Sequence, residues 1–147
     1  VKPEDDKALL DSLLDIMAAS QADLTLVFYN LSQLDSEASE KDAALRELFV
    51  DAEAIDKWLV RWRQRLSFES MNDKERQASM QSINPVYIPR NHQVEAAIRA
   101  AEDHNDFSVL HALYDVLQNP FQLQEGKEDY LLPPAPDEIV QQTFCGT

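Results

Sequence analysis

Few residues in this chain have side chains suited to covalent or metal chemistry. Cys145 is its one thiol, third from the end of 147 residues. A thiol near a chain terminus is open to solvent, and there it serves either as a redox handle or as an inert terminal residue. The residues themselves leave both readings open. One cysteine excludes an internal disulfide framework and a Cys/His zinc cluster, and it fits a reducing compartment. The three histidines, His92, His104 and His111, do not share a helix face with carboxylates at metal-ligand spacing. His92 and Glu95 are three apart, but nothing else converges on them. Around His104 and Asn105, Asp103 and Asp106 lack the glycine and bidentate glutamate of a calcium loop, so helix capping is their expected role. No nucleophile, base and orienting group can be assembled into a catalytic set.

The run from Lys57 to Arg65 interleaves Trp58 and Trp62 with Arg61, Arg63 and Arg65. Such a run can stack on nucleotides. Tryptophans four apart also lie on one face of a helix, and that reading, with both rings in the core and the arginines solvated, is preferred here. Net charge supports it. Thirteen Lys and Arg stand against 27 Asp and Glu, a formal charge of −14 that repels phosphate backbones. The excess is even: residues 1–84 carry 10 basic and 17 acidic side chains, residues 85–147 carry 3 and 10. Neither nucleic acid nor a membrane is an expected partner. No apolar run approaches the ~20 residues needed to span a bilayer, and the acidic start VKPEDDKALLDSLL is no signal peptide. It begins without Met, which suggests a processed chain or, as favoured here, a piece of something longer.

Glycine is the most informative count. Only Gly126 and Gly146 are present. Phosphate-cradling loops need glycines, so no G-x-G-x-x-G or Walker-type loop can be written. A doubly wound α/β fold or a hairpin-rich β fold is disfavoured for the same reason.

The elements left to position these residues are helices, about six to seven of them, giving an all-α bundle with an extended Pro-rich C-terminal tail. Leu9, Leu10, Leu13, Leu14, Ile16 and Met17 recur at three and four. Asp23 caps a second helix with Leu24, Val27, Phe28, Leu31 and Leu34. A short third helix carries Ala44, Leu45, Leu48 and Phe49. Asp51 caps the Trp58 helix, whose acidic first turn and basic later turns suit the helix dipole. Asn72 or Asp73 opens a helix with Met80 and Ile83, and Asn84-Pro85 ends it. Residues 1–83 therefore read as helical hairpins and 84–91 as an extended segment with Pro85 and Pro89. Within the helical pair 92–119, Asn91 caps a helix over His92–His104, with Val94, Ala97, Ile98 and Ala101 inward. Asp106 caps the next, with Phe107, Leu110, Leu113, Tyr114 and Leu117 inward. The tail, 120–147, is expected to dock through Phe121, Tyr130, Leu131, Leu132, Ile139 and Phe144. The whole reads as one helical domain.

One ordered set of motifs resembles the C-terminal region of the selenoprotein O family. Asn84-Pro85-Val86-Tyr87-Ile88-Pro89-Arg90-Asn91 is similar to its NP-x-[YL]-[IV]-x-RN element. Val94 to Ile98 with Ala100 to Glu102, then Asp106, Phe107, Leu110 and Leu113, fit the two helices that follow. Asn119-Pro120-Phe121, Tyr130 and Pro133-Pro134 fit the stop and the proline segment. Phe144-Cys145-Gly146-Thr147 is similar to the family ending, in which cysteine or selenocysteine is third from last. The Trp58–Arg65 helix and Met80 extend the likeness upstream.

The resemblance implies a protein-kinase-like enzyme that transfers AMP from ATP to Ser, Thr or Tyr hydroxyls of proteins with a divalent metal such as Mg2+. It places the nucleotide and metal ligands upstream of the matched region, where this chain has no counterpart: no Gly-rich loop, no catalytic Asp-Asn pair, no metal-binding Asp motif. The implied role is a non-catalytic C-terminal part of a bacterial, cytoplasmic adenylyltransferase. It would support the kinase-like domain, its partner in the same protein, and carry Cys145 for redox control. That control is implied to run partly through a disulfide to the kinase-like domain. An autonomous acidic helical interaction module is the alternative.

Overall fold

The computed structural model describes residues 2–140. The chain divides into two compact units at Asn84/Pro85, the place where proline forbids α geometry to its predecessor. Among the described residues there are seven α-helices and no strand. The all-α expectation is met.

The first unit holds α1 (Pro3–Ser20), α2 (Leu24–Leu31), α3 (Asp42–Arg46), α4 (Ala52–Leu66) and α5 (Asp73–Ile83). Its starts are set locally. The carboxylates of Asp23 and Asp51 accept from the backbone N–H of Leu26 and Ala54, at 3.0 and 3.1 Å. Asn72 accepts from Glu75 N at 2.9 Å, and the Glu75 carboxylate accepts in return from Asn72 N at 3.4 Å, a capping box. Helix α1 packs along α4, and α3 packs on both α2 and α4. Leu13, Met17, Val27, Leu31, Leu34, Leu45, Phe49, Ile55, Trp58, Leu59 and Trp62 make one buried cluster, each large apolar side chain contributing roughly 1.5–3 kcal/mol when fully buried.

Some expected positions shift. Helix α2 stops at Leu31, yet Leu34 beyond it is fully buried, because the turn Ser32–Leu34 folds back into the core. Helix α3 is a five-residue element, so Leu48 and Phe49 enter the core from the turn after it, and Ala44 stays exposed. Leu10 and Leu14 are partly exposed, and Ile83 faces solvent. The buried residue of α5 is instead Arg76.

The second unit holds α6 (Asn91–His104) and α7 (Ser108–Leu117), packed as a pair. Asn91 lies inside the first turn of α6, not before it. Arg90 is the capping position, and no side chain caps there. Helix α6 ends on Asn105 at φ 52°, a left-handed conformation that asparagine tolerates at this position. The Asp106 carboxylate accepts from Ser108 N at 2.9 Å and from its hydroxyl at 2.6 Å, so it satisfies the open end of α7 as expected, one residue further out than a standard cap. The inward set of α7 is corrected. Leu113 and Val116 are buried, but Phe107, Leu110 and Tyr114 are 49%, 46% and 60% exposed.

After α7 the chain is not a plain extended tail. It makes two short 3₁₀ turns, Glu128–Leu131 and Pro136–Glu138. Between them and α7, Gly126 takes φ 77°, a backbone state that favours glycine. Of the expected tail anchors, Tyr130 and Leu131 are half-buried, whereas Phe121, Leu132 and Ile139 are exposed. Phe144 and Cys145 lie outside the described residues.

Candidate functional site

The motif residues are the place to test for chemistry. Asn84 closes α5: its backbone N–H and its side-chain amide both donate to Met80 O, at 3.1 and 2.7 Å. Pro85 opens the second unit. From there the chain runs extended, and its polar groups are taken up by the turn after α7. Val86 N and Tyr87 N both donate to Pro120 O, at 2.7 and 3.2 Å. A single carbonyl thus ties two consecutive residues of the segment, using its two lone pairs.

Tyr87 is 2% exposed. Its hydroxyl accepts from Gln124 N at 2.8 Å. Gln124 in turn donates from its side chain to Val116 O and Asn119 O, at 2.9 and 3.1 Å, closing the C-terminal end of α7. Arg90 is 7% exposed and donates from Nη2 to Leu131 O at 3.1 Å. Its own carbonyl accepts from Gln93 N and Val94 N, which starts α6. The segment 85–90 is therefore a strap. Tyr87 and Arg90 join the start of α6 to the turns that follow α7, each by a hydrogen bond to main chain some forty residues away. Pro120 supplies the carbonyl, while Phe121 and Asn91 remain on the surface. These side chains hold backbone; none is arranged as an acid, base or nucleophile.

Gln124 was not singled out from the sequence, and Leu131 was expected only as an apolar anchor of the tail. The groups that meet Tyr87 and Arg90, Gln124 N and Leu131 O, are main-chain groups, which carry no side-chain signature.

In the first unit Lys57, Arg63 and Arg65 of the basic run of α4 are paired with carboxylates in place. Arg63 grips Asp42 with both Nη atoms at 2.8 Å and donates to Asp35 O from Nε and Nη2. Arg65 bridges Asp6 at 2.5 Å and Glu69 at 2.8 Å. Lys57 pairs with Glu53 at 2.8 Å, and Arg61 reaches Ser12 Oγ at 3.3 Å. The two indoles are buried and stack with centroids 6.1 Å apart and planes at 15°. A nucleotide-stacking surface needs exposed rings and unpaired cations, and α4 presents neither ring.

Arg76 was missed at the sequence level. It occupies the seam position of α5, one turn before Met80, where an apolar residue would be expected. It is 8% exposed, lies with Cζ 5.3 Å from the Trp62 ring centre, pairs with Asp73 at 2.9 Å and donates to Leu34 O. Leu34 O also accepts from Gln77 Nε2 at 3.0 Å, and Gln77 further donates to Asp35. Asp73 caps the other side of the loop, accepting from Ser36 N at 3.0 Å and Ser36 Oγ at 3.1 Å. The Ser36 amide, with its hydroxyl and Arg76, holds the Asp73 carboxyl below the usual carboxylate range. Asp35 is lowered too, by Lys41 first and Gln77 second.

Among the described residues of this unit, three open hollows bear on the question. One of about 560 Å³ and one of about 440 Å³ share Ser36, Glu37, Arg63 and Ser67 in their walls. A third, about 280 Å³, is apolar, floored by Leu13, Leu31, Trp58 and Trp62 with Asp6, Arg65 and Glu69 at its rim. The arginines in these walls are committed to Asp6, Asp42, Glu69 and Asp73, so none of the three offers a phosphate a free cation. Among the described residues no group of three His, Cys, Asp or Glu stands close enough to hold a metal ion. With no glycine loop either, the described residues do not fit ATP and Mg2+.

Comparison with known proteins agrees with the motif set. The family model for protein adenylyltransferase SelO matches residues 1–118. A protein nucleotidyltransferase YdiU of Bradyrhizobium sp. strain BTAi1 is 47% identical over 144 residues, 98% of this chain and 29% of that protein. The proteins of the same name from Rhodopseudomonas palustris strain BisB5 and Rhizobium meliloti strain 1021 are 48% and 45% identical, over 97% and 98% of this chain and again 29% of their own lengths. The chain thus spans less than a third of the length of these curated relatives, and the three named here are bacterial. Among the described residues no helix is long and apolar enough to cross a membrane. Matched over most of its length by the family model and over nearly all of it by these relatives, the chain belongs to the protein adenylyltransferase SelO family.

Proposed function

We propose that this chain is the C-terminal helical part of a protein adenylyltransferase and contributes no catalytic residue to it. In the complete polypeptide, a Ser, Thr or Tyr hydroxyl oxygen of a target protein bonds to the α-phosphorus of ATP, pyrophosphate leaves, and AMP stays on the target. ATP and Mg2+ are held by the kinase-like part outside these residues. The observation that carries this reading is coverage: almost the whole chain matches nucleotidyltransferases of which it accounts for 29%. The strap 85–90 and the Arg76 network support it as well, since both are built from groups that hold backbone.

Cys145 is the one family functional residue in the chain. Its role is redox gating through a disulfide to a cysteine elsewhere in the polypeptide. Two thiols lose two protons and two electrons to an external disulfide or peroxide, and a thiol reductant reverses the step. Setting is the cytoplasm, where thiols are held reduced at rest.

The test compares the complete natural reading frame with this chain alone, using ATP labelled at the α-phosphate and Mg2+. The complete product should transfer label to protein, and this chain should neither transfer nor bind ATP. Measurable ATP affinity in the chain alone, or a natural frame that starts near Val1, overturns the reading; the second result favours an autonomous interaction module.

A further inference from the structure

Helix α7 is apolar on two sides. Leu113 and Val116 are buried. Phe107, Leu110 and Tyr114 recur at three and four on another side, with about half of each surface exposed. Ser108, His111 and Asp115 take the polar side of this helix, yet its apolar residues extend well past the buried face, more than one covered side requires. Two aromatic rings flanking a leucine also have the composition of an interface centre rather than of a rim.

We propose that this face of α7 seats against the part of the same polypeptide that lies outside the present chain. The inference deepens the functional reading above and rests on it. Two facts select this occupant. The larger part of each matched relative falls outside the aligned stretch, so a large surface is available in cis. Charge disfavours a second copy: residues 85–147 carry 10 acidic against 3 basic side chains, and Asp106 and Asp115 stand beside the two ends of the stripe in sequence. Two such faces brought together would juxtapose like charges. The opposing surface is therefore apolar at its centre and bordered by Lys or Arg.

Hydroxyl-radical footprinting of the complete natural protein tests this without any substitution. Modification of Phe107, Leu110 and Tyr114 is read peptide by peptide, in native buffer and in concentrated urea. Phe68, 74% exposed in the first unit, serves as a second reporter. The expected result is about tenfold slower modification of the three stripe residues in the native protein, unchanged on dilution. Stripe residues modified as fast as in urea overturn the proposal, and so does protection that disappears on dilution, which would mark a second copy, or equal protection in residues 1–147 alone, which would mark an occupant within this chain. AMP transfer is measured on the same sample. Active protein with a bare stripe removes only the docking; a protected stripe in protein that transfers no AMP removes only the activity.

Discussion

The Arg76 guanidinium lies 5.3 Å from the centre of the Trp62 ring and donates to Leu34 O. One cation on α5 is thereby held by the face of a core indole on α4 and by the turn after α2. It is the polar centre of a unit whose remaining buried surface is almost wholly apolar.

Replacing Arg76 should be costly for that reason. Arg76→Ala removes a donor to Leu34 O, the partner of Asp73 and the contact with Trp62, and is expected to cost about 2–4 kcal/mol. Arg76→Lys keeps the charge but not the planar fork, and should recover only part of it. Urea unfolding followed by tryptophan fluorescence measures both; wild-type stability in Arg76→Ala would contradict the assignment.

Trp58 is anchored at its polar edge. Its Nε1–H donates to Leu9 O at 2.9 Å, tying α4 to α1 across 49 residues. Trp58→Phe keeps most of the apolar surface and loses this bond, for an expected loss of about 1–2 kcal/mol. A melting curve that superimposes on wild type would show the bond to be idle.

Tyr87→Phe probes the strap in the second unit. The variant leaves Gln124 N–H without the hydroxyl it donates to at 2.8 Å. The expected cost is about 1–2 kcal/mol, and exchange of the Gln124 amide with deuterated water should speed up relative to amides inside α6. Equal speed-up throughout the unit would point to global rather than local loosening.

Acid should weaken the first unit only as pH falls through the reference carboxylate range and below it. Asp73, Asp35 and Asp6 all have folded-state pKa values below their ordinary 3.8, through Ser36, Lys41 and Arg65 respectively. The unfolded chain therefore binds more protons than the folded one as pH falls through that range. Their contribution is present in full above it and drains away as pH drops toward the lowered folded values. The urea midpoint should be flat from pH 7 to about 5 and fall below about 4. Asp73→Asn should lower the midpoint at pH 7 and make the fall shallower. An unchanged acid slope in that variant would separate Asp73 from the effect.

Much of the secondary structure was legible because its causes are local. The Asp23, Asp51 and Asn72 caps act on amide groups three residues away, and Asn84-Pro85 acts on its own dihedrals. The motif run 84–91 was legible as a pattern, and so was the family, since each is a property of residue order alone. The roles of Tyr87 and Arg90 were not. Their partners, Gln124 N and Leu131 O, are main-chain groups that any residue type could provide.

The amino-acid order by itself determined an acidic, glycine-poor, helical chain, the capped starts at Asp23, Asp51 and Asn72, and the family to which it belongs. Folding in three dimensions decided which side of an apolar helix is covered. Leu113 and Leu110 are the same residue type one turn apart on α7, yet one is buried and the other half exposed. Composition could not separate them, because burial depends on which surface arrives from far along the chain. Tertiary packing likewise turned Arg76 from an apparent surface cation into a core residue, since the ring and the carbonyl that receive it come from 14 and 42 residues away.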